Sequence, residues 1–359
     1  MYRSNGASPT RSVKVARLRA ATFRRCASAL LVPVFLAAAG ACASQNGKDS
    51  GGQQKLIMSI GIAAPTSAPV FLADTLDYFK KQGLNVQVKI IPNAYMSLAA
   101  GQIQYGMVGV SQLIQAAQRN TGLQQICVTQ MDPDYVLAVS QKTLGAKGIT
   151  PSMSLKETLT RLKDEKVTEV GGPVNPGSIL LASLLKQNGL PPDWIKVISQ
   201  TSSSSATAAF AQGQVGVIFQ PQPAPDQVLS RAPGRIVFNT RNSPIFANLQ
   251  QAQWSGIAGS AKYIAAHPDV SKKICTAIGQ ANNYLIDHTA EASKVLQGKM
   301  TAFQPKFLQE ALTSYKWARD GKMSESQYRS GIKVLADYGI FKQPSDQVIS
   351  KAYTAAYQQ

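Results

Sequence analysis

The sequence predicts an α/β protein of two similar lobes, each a mainly parallel sheet with helices on both faces. Apolar strand-like runs alternate with helix-like runs from Leu56 onward, the order that builds parallel sheets joined by crossover helices. The order is also written twice: "AAGQIQYGMVGV" (Ala99–Val110) returns as "AAFAQGQVGVIFQ" (Ala208–Gln220), and "FKKQGL" (Phe79–Leu84) returns as "LLKQNGL" (Leu184–Leu190). Finally, 359 residues with 44% hydrophobic side chains give room for about two cores.

The first 25 residues hold seven basic and no acidic side chains, and "ALLVPVFLAAAG" (Ala29–Gly40) follows. That apolar stretch is too short for a spanning helix and reads as the core of a signal peptide over residues 1–41. Ala39, Gly40 and Ala41 before Cys42 resemble a bacterial lipobox, in which the cysteine is lipidated and becomes the new N-terminus. An ordinary signal-peptidase site beside an unmodified cysteine is the alternative. Residues 42–54 are polar and Gly/Ser-rich, the composition of a flexible tether. Removing the leader leaves 30 basic against 19 acidic residues, a net +11. No Lys/Arg run is interleaved with aromatics, so the charge reads as a surface near anionic lipid and not as a nucleic-acid footprint.

In the first lobe "LIMSIGI" is a strand. "SAPVFLADTLDYFKKQG" places Leu72, Leu76 and Phe79 on one helical face, with Ser67 as N-cap, Lys80 and Lys81 in the last turn and Gly83 at the stop. "VQVKII" is a strand, a short helix starts near Ala94, and "YGMVGV" is a buried strand. The second lobe repeats this βαβαβ syntax with "VTEVGG", "GSILLASLLKQNG", "IKVISQ", "SSSATAAFAQGQ" and "VGVIFQ". "RIVFNT" (Arg235–Thr240) and "QWSGIAGS" (Gln253–Ser260) are strands that lead the chain out. Beyond Ala261 the pattern is helical, and this block is expected on lobe 1. The lobes divide as 55–138 with 241–359 (lobe 1) and 139–240 (lobe 2). Cys127 and Cys275, on a buried strand and a helix, can pair in an oxidising compartment or stay as two buried thiols.

Several segments together resemble the ABC-transporter solute-binding proteins of the nitrate, sulfonate, taurine and thiamine-pyrimidine group: "GLNVQVKII", "AAGQIQYGMVGVSQLIQAAQRNTG", "LLKQNGLPPDWIKVI", "AAFAQGQVGVIFQPQP" and "AKYIAAHPDVSKKICTAI". The resemblance implies a type II periplasmic-binding-protein fold, joined by two crossing strands and closing by hinge motion on a small solute. It further implies docking on a membrane permease. The expected protein is a monomer without metal or cofactor, lipid-anchored through Cys42 on the outer face of the cytoplasmic membrane.

Ligands of such sheets bind beyond the carboxyl ends of the strands, where helix N-termini offer free N–H groups. That selects five loops: Thr66 and Ser67; Asn93; Gly109, Ser111 and Gln112; Asn175, Gly177 and Ser178; and Thr201 to Ser203. In the resembled family the positions of "VGVS" and "NPGS" line the cleft, and the Gln-Pro segment, Gln220 or Gln222, lies beside it. Ser67, Ser111, Ser178 and Ser203 also read as plain N-caps, each contributing about 1 kcal/mol. The five loops contain no Arg, Lys or Glu, so an oxyanion would rely on backbone N–H groups, hydroxyls and helix dipoles. A neutral or aromatic solute fits as well, with Tyr95, Tyr105 and Tyr135 as stacking or core residues. Asp132 and Asp134 in "QMDPDY" read as turn formers.

Enzyme classes find little support. His267 and His288 have no partners at metal-ligand spacing, and neither a G-x-S-x-G elbow nor a phosphate loop occurs. The alternative to transport is a membrane-anchored lipoprotein of the same fold acting as receptor or adhesin.

Overall fold

The computed structural model describes residues 55–92, 94–132, 134–170, 176–200 and 202–358. The expected signal peptide (1–41), the tether (42–54) with Cys42, and Asn93, Asn175 and Thr201 lie outside them. Among the described residues the strands are β1 (Lys55–Ile60), β2 (Asn85–Ile90), β3 (Tyr105–Gly109), β4 (Leu123–Met131), β5 (Tyr135–Ser140), β6 (Lys166–Val170), β7 (Lys196–Gln200), β8 (Val217–Pro221), β9 (Gly234–Asn239) and β10 (Gln253–Ser260). The helices of the first half are α1 (Ala68–Thr75), α2 (Tyr78–Lys81), α3 (Tyr95–Ala99), α4 (Val110–Gln118), α5 (Gln141–Ala146), α6 (Leu155–Arg161), α7 (Pro176–Gln187), α8 (Ser203–Ala211) and α9 (Ala224–Leu229). Those of the C-terminal block are α10 (Ala261–Ala266), α11 (Pro268–Asp287), α12 (Thr289–Leu296), α13 (Pro305–Ser314), α14 (Glu325–Asp337) and α15 (Asp346–Ala352).

The strands form two five-stranded sheets, ordered β2-β1-β3-β10-β4 and β7-β6-β8-β5-β9. The first three strands of each are parallel, and the fourth runs antiparallel to both neighbours. Four strands of each five therefore point one way. The reversed strand has the same origin in both sheets, being the first one laid down after the chain crosses over. β5 follows β4 across Asp132–Asp134, and β10 follows β9 across 240–252. The lobe boundary expected at 138/139 falls inside β5, which pairs only with β8 and β9, so the chain changes sheet at Asp132–Asp134.

The repeated Gly-Gln corners are local structure of one kind. Gly101 and Gly213 have φ of 72° and 70°, the left-handed region that glycine enters without steric cost. There each ends a helix just before a parallel strand.

One predicted element is broken. The helix expected across "SAPVFLADTLDYFKKQG" divides into a 3-10 turn (Pro65–Ser67), α1 and α2, because Asp77 takes φ 58° and interrupts the hydrogen-bond ladder. Aspartate tolerates this conformation better than most side chains. Ser67 also does not cap α1 with its side chain; its hydroxyl donates to the Ile62 carbonyl at 2.7 Å.

The C-terminal helices pack on the first sheet: α11 on α1 and β4, α14 on β10, and α15 on α4 and β4. The face of α11 that does so carries Ile274, Ile278, Ala281 and Leu285 at three- and four-residue spacing. Buried Asn282 on the same helix donates to the carbonyls of Val128 (3.1 Å) and Ala318 (2.6 Å), pinning the helix to β4. Cys127 on β4 and Cys275 on α11 are both buried free thiols, so no disulfide joins them here. They nevertheless meet: burial and contact with Cys127 push the Cys275 thiol well up.

Candidate functional site: the interlobe cleft

The two crossing segments are tied by an ion pair. One guanidinium nitrogen of Arg241 donates to both oxygens of Asp132, at 3.0 and 3.1 Å. The Asp132 N–H reaches the Ala252 carbonyl at 3.0 Å, and the Thr240 hydroxyl accepts from the Tyr135 N–H at 2.9 Å. Asp134 accepts from the Ser314 hydroxyl at 2.8 Å. Asp132 and Asp134, which read as turn formers in the sequence, thus fasten the crossing. Burial pushes the Asp132 carboxyl up to about 6, against the pull of Arg241.

Beside this crossing lies a cavity of 590 Å³. Gly109, Ser111 and Gln112 at the N-terminus of α4, together with Trp254 on β10 and Tyr95, enter it from the first sheet. Tyr135 on β5 and Pro176, the first residue of α7, enter it from the second. Ile340, beyond α14, closes one side. Helix N-termini carry unpaired N–H groups and a positive dipole end, and the α4 end turns these toward the cavity. The Gln112 side chain accepts from the Gly109 N–H at 3.3 Å. Tyr135 packs against Phe219 and Trp254, ring centres 5.3 and 6.3 Å away. Arg119 also lines the cavity, but at the far end of α4, about 13 Å along the axis from the N-terminus.

The other expected site residues divide. Gly177 and Ser178 face Glu169, near the end of β6, whose carboxylate accepts from the Ser178 hydroxyl at 2.9 Å. A Cβ on Gly177 would lie 2.5 Å from Glu169 Oε1 and 2.7 Å from Tyr135 Cε1. Gln220, at the end of β8, is 1% exposed. Gln222 donates its N–H to the Asp134 carbonyl at 3.0 Å, and its own carbonyl accepts from the Tyr315 hydroxyl at 2.5 Å. Ser203 belongs elsewhere, lining a separate 320 Å³ cavity with Thr207, Gln227 and Phe303. The cap of α8 is Ser202, which accepts from the Ser205 N–H at 3.1 Å. Thr66 and Ser67 lie in the 3-10 turn ahead of α1 and are not part of the cavity wall. Tyr105 is fully buried and shares a 2.7 Å hydrogen bond with Ser271.

Glu169 and Trp254 escaped the sequence reading for one reason. Both sit inside strands, Glu169 one residue before the end of β6 and Trp254 one after the start of β10, whereas the rule about strand ends selects the loops that follow strands.

No curated protein sequence matches the chain. Solved structures do match in fold. The ligand-binding component of an ABC-type import system from Staphylococcus aureus superposes with TM-score 0.67 at 11% identity, covering 85% of this chain and 98% of that one. The periplasmic aliphatic sulphonate-binding protein SsuA of Escherichia coli gives 0.63 at 16%, over 83% and 91%. The periplasmic nitrate-binding protein NrtA of Synechocystis PCC 6803 gives 0.63 at 13%, over 84% and 86%. The two lobes with exchanged strands are thus a periplasmic-binding-protein fold. The model of the NMT1/THI5-like family matches residues 64–292, more than half of the sequence, and the chain belongs to that family.

Proposed function

We propose that this protein captures a small organic or oxyanion solute in the interlobe cleft, without catalysis, and delivers it to an ABC importer. The observation that carries the reading is the 590 Å³ cavity, whose walls come from both sheets at the strands that exchange between them. A solute touching Gln112 and Trp254 on one side and Tyr135 and Pro176 on the other binds the closed arrangement better than an open one. It therefore shifts the population toward closure. On this reading the first-sheet residues with 241–359 move as one body and the second-sheet residues as the other, about the Asp132–Asp134 and 240–252 crossings. The leader over residues 1–41 exports the chain, Cys42 carries the lipid anchor, and residues 42–54 give the body reach to its permease.

Thermal unfolding of the purified protein against sulfonates, nitrate, amines and aromatic amides tests the first step. A solute at a hundred times its dissociation constant stabilises the folded state by about 2.7 kcal/mol. A shift confined to one chemical class, and lost in Trp254→Ala, is the expected outcome. Equal shifts in that variant would place binding outside the cleft.

A further inference from the structure

Cys127 and Cys275 are the two cysteines of the described residues, and the fold brings them together from distant parts of the chain. Cys127 lies in β4 and Cys275 in the first half of α11, the helix that packs on it. The register of that helix is fixed on both sides of the thiol. One turn before Cys275, the Ser271 hydroxyl shares a 2.7 Å hydrogen bond with Tyr105 on β3. Two turns after it, Asn282 donates to the carbonyl of Val128, the residue next to Cys127, at 3.1 Å. Between these two anchors the Cys275 side chain touches that of Cys127, and Tyr105 and Tyr353 lie within electrostatic reach of both sulfurs. Side-chain contact between two firmly placed backbones is the geometric condition for a disulfide.

The burial that accompanies this contact makes the folded pair inert. Cys127 is 0% and Cys275 2% exposed, so a dissolved oxidant reaches neither sulfur. Burial also keeps the Cys275 thiol protonated, and the thiol is not the nucleophile. Exchange therefore has to begin before α11 docks on β4, while both sulfurs are still open to solvent. A thiolate from one cysteine attacks a sulfur of a disulfide-bearing oxidant, expels one oxidant thiol and leaves a mixed disulfide. As α11 approaches β4, the second thiolate attacks the cysteine sulfur of that mixed disulfide and expels the other. The two protein thiols give up two electrons and become one S–S bond. The oxidant's disulfide accepts those electrons and the two protons, and leaves as two thiols.

We propose that Cys127 and Cys275 join as a disulfide while the chain folds in an oxidising compartment, and that the closed core then preserves whichever redox state the chain folded in. The compartment rests on the export reading of residues 1–41, whereas the pairing rests on the contact between α11 and β4. The bond staples α11 to β4 within the first-sheet body, so it leaves the crossings at Asp132–Asp134 and 240–252 to move as the hinge reading requires.

Differential alkylation of the full chain, read by mass spectrometry at the peptides that carry Cys127 and Cys275, tests this independently of Cys26 and Cys42. Protein refolded from denaturant in oxidised glutathione is expected to carry the Cys127–Cys275 bridge in most chains. It should unfold about 5 °C or more above protein refolded in reduced glutathione. Two free cysteines after oxidative refolding, or two separately glutathionylated ones, overturn the pairing whatever compartment the chain occupies. Folded reduced protein is expected to keep both thiols through overnight exposure to oxidised glutathione, and quick bridging would overturn the protection by the closed core. Alkylation of the protein inside its native cells reads the compartment, and the bridge is expected there. Its absence from cells, when refolding does form it, leaves the pairing intact and counts against export to an oxidising compartment. In Cys127→Ala the two refolding conditions should give one midpoint, and a persisting gap would overturn the staple as its cause. The wild-type comparison stands by itself if that variant does not fold.

Discussion

Ile60 and Glu169 occupy the same place in the two sheets. Tyr105 and Val217 each stand four residues past the glycine corner that precedes their strand. Met58 pairs with Tyr105, and Val167 pairs with Val217. Two residues on from those partners come Ile60 and Glu169, both buried. In the first sheet the position is filled by a branched hydrocarbon within the core against α1 and α11; in the second it is filled by a carboxylate under α7. The architecture accordingly does not need a polar group there. Packing explains the isoleucine, and the glutamate is held by the Ser178 hydroxyl and by the room that Gly177 leaves.

The most severe way to break the comparison is to carry the carboxylate into the first sheet. Ile60→Glu places a charge among apolar neighbours, and the expected loss is about 4 kcal/mol in denaturant unfolding. A loss under about 1 kcal/mol would mean that both sites tolerate charge and that Glu169 is unremarkable in its place.

Another buried carboxylate must be separated from Glu169 before any pH profile is read. Asp132 titrates at about 6 when folded and at about 3.9 when unfolded. Between these values the folded protein holds a proton that the unfolded chain has released, so stability falls as pH rises through that window, by up to about 3 kcal/mol. Asp132→Asn removes the slope; an unchanged slope in denaturant titrations from pH 4 to 6 assigns it to another group.

Gly177→Ala sharpens the comparison from the helix side. Its methyl meets the carboxylate and Tyr135, and the expected cost is about 2 kcal/mol of overpacking. Adding Glu169→Ala should recover more than half of this, and strict additivity of the two losses would show that they do not touch in solution. The smallest effect is that of Glu169→Gln, which keeps the shape and the acceptor but gives up the interaction with the α7 dipole, for about 1 kcal/mol. Unchanged stability would show that the helix end contributes nothing at this site.

The repeat was legible because each lobe states it in local terms: glycine at the left-handed corner, then an apolar run of parallel-strand composition. The exchanged strands were less so. β5, "YVLAVS", is as apolar as any parallel strand, and nothing within it says that its partners run the other way; direction is fixed by where the chain has just come from. Asp132 reads as a turn former because its partner Arg241 is 109 residues away. At the site, Gly109, Ser111 and Gln112 could be placed from the rule about strand ends. Ser203 could not be told from them, since a serine-rich helix start looks alike whichever cavity it faces. Glu169 was hidden in "VTEVGG", where one charged residue amid strand formers looks like an exposed edge until Gly177 and Ser178 are seen to close over it.

The exchange of strands also orders the assembly of the molecule in time. In the first sheet β10 lies between β3 and β4, so the place beside β3 stays vacant until residue 253 has been made, and β4 has no strand neighbour to join before then. The second sheet is complete once β9 is in place, while the first waits for a segment more than a hundred residues beyond its own fourth strand in sequence. Closing so long a loop is slow compared with local pairing. A chain emerging from a ribosome or a translocation channel thus finishes its second lobe first, and the lobe that was begun earliest is the last to become a folded body.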